Sequence, residues 1–253
     1  MAAILPDVPD LPLILLSAAA VFVSGVVQGA TGFGFVIIAG PVLATYLEPT
    51  LVVPVMVSLG FVVTLGVLYH GRRWVDVRRV WVLTLAGAVS TPVGALLLVS
   101  LASGTLKLLM GGVVVATGLA MLLGLQRATR HERAVSVPVG LASGLLAGSA
   151  GVAGAPIILF FANQGVDPRT FRANMVFYLQ IVNMVALPSF FVGGVLTADA
   201  LTLAAALLPA SLVGMGAGIW LSSRLSAVLF RRAALVVVLI AGAGAMAAGI
   251  AGL

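Results

Sequence analysis

The chain is cut into apolar runs of eighteen or more residues, and so few charges lie within them that water cannot be their solvent. Only 8% of its 253 residues are charged, and 62% are hydrophobic. A soluble domain carries about a quarter charged residues. Runs of this length match the roughly 30 Å hydrocarbon core of a bilayer when coiled as helices. Backbone polar groups in lipid must be satisfied within the segment, so the runs are read as transmembrane α-helices. The predicted class is therefore an all-α polytopic membrane protein with the lipid bilayer as its main partner. Asp7 and Asp10 stand where a signal peptide would carry a basic region, so the first apolar segment is expected to be retained.

The sparse charges punctuate the runs. A first segment spans about 11–46 and is interrupted by Gly29, Gly32 and Gly34. Apolar runs follow at about 50–69, 80–100 and 104–125. A polar linker then carries Arg127, Arg130, His131, Glu132 and Arg133. A second interrupted segment, about 137–162, precedes runs at about 170–192, 199–222 and 228–250. This divides the chain into a first transmembrane repeat (11–125), a cytoplasmic linker (126–136) and a second repeat (137–250).

The halves echo one another. A shift of 119 positions, from 32 to 151, lays Ser24-Gly25-x-x-x-Gly29-x-x-Gly32 on Ser143-Gly144-x-x-x-Gly148-x-x-Gly151. The same shift lays Glu48-Pro49 on Asp167-Pro168, and Met56-Val57 on Met175-Val176. Interrupted segments at matching places in two repeats are a mark of secondary transporters. Arginine counting sets the topology. The clusters are Arg72, Arg73, Arg78 and Arg79; the linker; Arg169 and Arg172; and Arg224, Arg231 and Arg232. They all fall on the cytoplasmic side if each interrupted segment dips in and returns. Each repeat is then a broken, re-entrant hairpin plus three crossings. Three is odd, so the second repeat is inverted. Eight plain helices with one loop that breaks the charge rule are the alternative.

The glycine clusters are the sharpest local signals. Glycine costs roughly 1 kcal/mol against alanine inside a helix, so a cluster within a span points to unwinding. Unwound backbone at membrane depth is tolerated only when it is buried or lines a cavity. A second half-helix starting there aims free N–H groups and a positive dipole end into the gap, which favours an anion. Pro156 suits the first turn of such a half-helix. The earlier members, Ser24, Gly25 and Gly29 with Ser143, Gly144 and Gly148, also suit close helix packing. The candidate substrate-binding residues are Gln28, Thr31, Gly32, Phe33 and Gly34 on one break and Ser149, Ala150, Gly151 and Val152 on the other. Asn174, Gln180 and Asn183 form a polar wall on one later helix, where interhelical glue is the competing role. Arg172 is read as a cationic gate or as a snorkelling residue.

Missing groups narrow the function. All seven acids lie at or near loops, so no mid-span carboxylate binds a cation or relays protons. There is no cysteine, and no ligand set for a metal or cofactor is expected. Ser149 sits among glycines as a nucleophile might, but neither histidine lies in a span to act as its base. A membrane enzyme is therefore disfavoured, and a passive channel is a second alternative. The net charge of +6 comes from arginines at segment ends, where lipid head groups account for them, so nucleic acid is not an expected partner. A homodimer through Gly242-Ala243-Gly244 and packing of that stretch within the bundle fit equally.

The stretch Ser24-Gly25-Val26-Val27-Gln28-Gly29-Ala30-Thr31-Gly32-Phe33-Gly34, its echo from Gly140 to Gly148, and the two-fold layout resemble the sulfite exporter TauE/SafE family. The likeness covers nearly the whole chain. It implies a multi-pass permease of a bacterial-type inner membrane that exports sulfite, sulfoacetate or another small anion. The sulfur and the outward direction rest on that resemblance alone; the residues themselves fit a carboxylate as well.

Overall fold

The computed structural model describes residues 11–123, 132–162 and 167–222, with isolated helical positions at 243, 246, 247 and 250. Most of the linker, including His131, lies outside these residues. So do the 224–232 arginine cluster, most of the last apolar run, and Gly242 and Gly244. Among the described residues the secondary structure is entirely helical. The elements are α1 (Leu11–Thr31), α2 (Phe35–Ala44), α3 (Pro49–Gly71), a 3-10 turn (Arg72–Trp74), α4 (Val77–Ser100), α5 (Ser103–Leu122), α6 (Glu132–Ala150), α7 (Gly154–Ala162), α8 (Pro168–Val192) and α9 (Ala198–Leu221). Six of them, α1, α3, α4, α5, α8 and α9, are long and apolar enough to cross a membrane. The chain is an all-α polytopic membrane protein.

Helix α4 shows the inside-out pattern that lipid imposes. Leu85, Val89, Val93 and Leu96 face outward, each more than half exposed. Its buried face instead holds Gly87, Ser90, Thr91 and Gly94. Small and polar residues go inward because lipid tails are as apolar as leucine, so helices associate by close packing and hydrogen bonds rather than by hiding hydrophobic surface.

Both interrupted segments do break. Gly32 (φ 84°) and Gly34 (φ 104°) are left-handed, as is Gly151 (φ 72°), a conformation that costs other residues roughly 1–2 kcal/mol. After the first break the chain doubles back. The hydroxyls of Ser17, early in α1, and Tyr46, just past α2, meet at 3.0 Å. At the second break the Ser143 hydroxyl donates to the Ala153 carbonyl, ten residues on. In a helix running straight on, those residues would be about 15 Å apart. The two limbs are unequal: α1 and α6 have 21 and 19 residues, whereas α2 and α7 have 10 and 9. The sequence boundary of 137 falls inside α6, which begins at Glu132. Glu132 is held there by an ion pair with Arg79 of α4.

Glycine contacts fix the helix directions. Along α6, Gly140 abuts Leu83 and Gly87, Gly144 abuts Gly87 and Ser90, and Gly148 abuts Thr91 and Ala95. Both series ascend, so α4 and α6 run parallel. On the other side Gly25 abuts Ser211 and Gly29 abuts Met215, so α1 and α9 are parallel as well. These are the two most extensive helix pairs in the bundle. Helices α3 and α8 cross at the centre in opposite directions: Gly60 lies by Asn183, Thr64 bonds Gln180, and Gly71 lies by Ala173.

The 72–79 arginine cluster, the start of α6 and Arg169 meet at one end of the bundle. Arg79 pairs with Glu132, and Trp74 lies under the guanidinium groups of both Arg73 (5.7 Å) and Arg169 (5.2 Å). By the positive-inside rule this end is expected to be cytoplasmic. The chain has no native cysteine, so single cysteines report sidedness cleanly. Thr45→Cys and Ala198→Cys are expected to react with an impermeant maleimide added to intact cells. Ala134→Cys should react only after permeabilisation. Labelling of all three from one side would refute this topology.

Candidate functional site

Between the two breaks lies a cavity of about 30 Å³. It is lined by Gln28, Gly34, Phe35, Val36, Ile37, Gly60, Thr64, Gly151, Gly154, Leu179 and Asn183. The lining is paired by the 119-position shift. Phe35 answers Gly154, Gly60 answers Leu179, and Thr64 answers Asn183. Its room corresponds to about two waters, since one needs roughly 10–15 Å³ by this measure.

The first break is held open by one side chain. Gln28, almost fully buried, donates from Nε2 to the Gly32 carbonyl (3.2 Å) and accepts at Oε1 from the Phe35 N–H (3.2 Å). It thereby bridges the three-residue gap and satisfies the first amide of α2. The first intrahelical bond of α2 runs from Ile38 N–H to the Gly34 carbonyl. The amides of Val36 and Ile37 thus have no acceptor within the helix, and both residues line the cavity. A helix N-terminus with two such donors is suited to an anion.

The second break is less generous. At the start of α7, Pro156 has no N–H, and the Ala155 amide is used by the Val152 carbonyl (3.4 Å). Of the residues at this helix start, Gly154 is the one that lines the cavity. The break is braced from outside the hairpin by a buried chain in which the Tyr178 hydroxyl donates to Ser143 Oγ (2.8 Å), which donates to the Ala153 carbonyl. The two N-termini therefore face one cavity but contribute unequally.

Of the residues expected at the site, Gln28, Gly34, Gly151 and Asn183 line the cavity. Gln180 stands next to it, accepting from the Thr64 hydroxyl at 2.5 Å. Gly32 is at the break but faces Arg172 and Val176. Phe33 packs edge-on against Phe171, with ring centres 6.1 Å apart. The Thr31 hydroxyl is turned to its own backbone, 2.8 Å from the Val27 and Phe33 carbonyls. Ser149 bonds the Leu145 carbonyl within its helix, and Ala150 and Val152 are buried beside it. Asn174 lies apart from the cavity, its Oδ1 accepting from the Asp76 N–H at 2.8 Å. The polar wall on α8 thus divides: Asn183 and Gln180 attend the cavity, and Asn174 anchors the turn before α4. Arg172 donates from Nη2 to the Gly29 carbonyl, so it caps the C-terminal turn of α1. His70 sits in the last turn of α3, its Nδ1 2.9 Å from the Gly66 carbonyl.

Thr64, Gly60, Val36 and Gly154, with Phe35, Ile37 and Leu179, line the cavity and were not among the expected residues. Thr64 had a signal in the sequence, because it is the counterpart of Asn183 under the repeat shift. A polar residue answering a polar residue across two repeats marks a shared central position.

Comparison with known proteins now bears on this geometry. Residues 17–245 match the family described as Sulfite exporter TauE/SafE. The chain belongs to that family. It is a family of membrane transporters. Within the TauE/SafE proteins, one relative is the "Probable sulfite/organosulfonate exporter TauE" of Cupriavidus necator. It is 30% identical over 164 residues, which cover 62% of this chain and 64% of the relative. No solved structure matches the chain.

Proposed function

We propose that this chain is a secondary transporter that exports a small oxyanion, sulfite or a short organosulfonate, from the cytoplasm across a bacterial inner membrane. The observation that carries the reading is one cavity faced by both half-helix N-termini, with three buried polar side chains and, among the described residues, no acidic group in its lining. In that low-dielectric setting the donors of Val36, Ile37 and Gly154, the Asn183 amide and, on release from Gln180, the Thr64 hydroxyl replace part of an anion's lost hydration. Sulfite and sulfonates offer three oxygens to such converging donors. A carboxylate satisfies the same donors; the choice of sulfur and the outward direction follow the family.

The architecture proposed for this task is two inverted repeats, each a re-entrant hairpin followed by three crossings. Its support is the crossing of α3 and α8. They are counterparts under the 119-position shift, yet they run antiparallel. A two-fold axis relating antiparallel membrane-spanning helices must lie in the membrane plane, which inverts one repeat relative to the other. Contacts agree with such an axis: it carries the pair Gly60–Asn183 to 179–64, and Thr64–Gln180 is observed. Each hairpin then leans on the second crossing of the opposite repeat, α1 on α9 and α6 on α4, so rocking of one repeat against the other moves both tips. The cavity is too small for a four-heavy-atom oxyanion and must widen during transport. Gln28, Gly34, Gly151, Asn183 and Thr64 are the proposed binding set, and Arg172 the proposed gate behind Gly32.

Thr64→Val and Asn183→Leu remove polar groups from the cavity wall at nearly constant shape. Each is expected to lower sulfite flux in proteoliposomes at least about tenfold, the loss of one or two charge-assisted hydrogen bonds. In thermal-shift measurements the unaltered protein should be stabilised by sulfite or sulfoacetate as RT ln(1 + [L]/Kd), about 2.7 kcal/mol at a hundredfold excess over Kd. Stabilisation by sodium or nickel salts with none by any anion would overturn the proposal.

A further inference from the structure

A second cavity, of about 210 Å³, opens at the arginine-rich end. Its walls include His70 and Trp74 from the end of α3 and the turn after it, Arg169, Arg172 and Val176 from α8, and Ile219 from α9. We infer that this vestibule is a separate anion-binding site, in which Arg169 and Arg172 capture an oxyanion from the cytoplasm before it reaches the smaller cavity between the breaks. The inference rests on the transport reading for its purpose but not for its existence, since binding here requires only the groups described.

Neither arginine has a carboxylate partner among the described residues; the ion pair found there joins Arg79 and Glu132. Arg169 is exposed and stacked over Trp74, at 5.2 Å. A ring holds a guanidinium through its face and leaves the N–H edge unspent. Arg172 is half-buried and turned inward to the Gly29 carbonyl, not outward to the head-group region as a snorkelling side chain would be. A guanidinium has five N–H donors, so one bond to a carbonyl leaves most of them for a ligand. Among the described residues no Asp or Glu lines the cavity. The Nδ1 of His70 is occupied by the Gly66 carbonyl, which orients its ring at the rim.

The vestibule also has a floor that leads somewhere. A Cβ placed on Gly32 would lie 2.6 Å from Arg172 Cγ and 3.1 Å from Val176 Cγ2. The first break therefore separates this cavity from the smaller one. An anion that draws Arg172 away from the Gly29 carbonyl uncaps the end of α1 next to the break. Capture is in this way linked to the element that must move to admit the anion.

Trp74 provides the readout. The full chain in nanodiscs of zwitterionic lipid is titrated with sodium sulfite at constant ionic strength, and tryptophan emission is compared with that of Trp74→Phe. A saturable change is expected that is absent in Trp74→Phe and displaced about tenfold in concentration in Arg169→Gln, the loss of one charge-assisted contact. Asn183→Leu should leave the change in place while lowering transport, so failure of the central site and failure of the vestibule are told apart. A parallel series in discs of phosphatidylglycerol separates solute from lipid. No saturable Trp74-dependent change, or one unaltered in Arg169→Gln, overturns the inference. So does a change lost in Asn183→Leu, or one produced by the anionic lipid and not by sulfite.

Discussion

Gly148→Ala is expected to prevent accumulation of folded protein, whereas Gly112→Ala should leave it unchanged or slightly more stable. At Gly148 an added Cβ would stand 2.2 Å from the Thr91 carbonyl oxygen and 2.4 Å from the Ala95 nitrogen. Both are backbone atoms of α4, and backbone cannot rotate aside as a side chain can. The two helices would have to separate along an interface that also carries Gly140, Gly144, Gly87 and Gly94. Ordinary overpacking costs about 1–3 kcal/mol; this contact should exceed that range, against total stabilities of roughly 5–15 kcal/mol. Gly112 has open space around its Cβ position, so the change there gains about 1 kcal/mol of helix propensity. Gly29→Ala, 2.4 Å from the Met215 carbonyl oxygen, should behave like Gly148→Ala. Detergent-solubilised yield and thermal midpoint measure all three. Normal yield and midpoint in Gly148→Ala would contradict the close α4–α6 contact.

Gly151→Leu and Gly32→Leu are expected to reduce transport to background in protein that still inserts and survives purification. Both positions have positive φ, and both lie at a break: Gly151 with Val36 Cγ1 3.0 Å from its Cβ position, Gly32 with Arg172 and Val176. Leucine there combines backbone strain with a side chain driven into the narrowest part of the proposed path. Gly194→Leu supplies the control. Its φ is also 72°, the same as that of Gly151, but nothing lies within 4 Å of its Cβ position. The strain penalty of roughly 1–2 kcal/mol is thus shared, and only the position differs. Flux in proteoliposomes should be lost in the first two and kept in Gly194→Leu. Equal flux in all three would remove the breaks from the transport path.

The sequence by itself determined the solvent, the apolar spans that α3, α4, α5, α8 and α9 occupy and the places where two segments break. Each of these depends on local composition: a run without charge needs lipid, and a glycine cluster cannot stay helical cheaply. The repeat offset was legible for the same reason, since Gly32 and Gly151 occupy the same strained backbone position. Three-dimensional packing decided the rest. Thr64 joined the site and Asn174 left it because the direction in which α3 crosses α8 sets which polar side chains meet, and no periodicity along one helix encodes the partner's direction. The unequal N-termini also needed coordinates. Whether an amide is free depends on where the preceding carbonyl points, as with Ala155 and Val152. The assignment of Gly25, Gly29, Gly144 and Gly148 to packing rather than to the cavity was settled in the same way. Small residues suit both roles, and only the approach of α9 and α4 to within backbone contact shows which role each one fills.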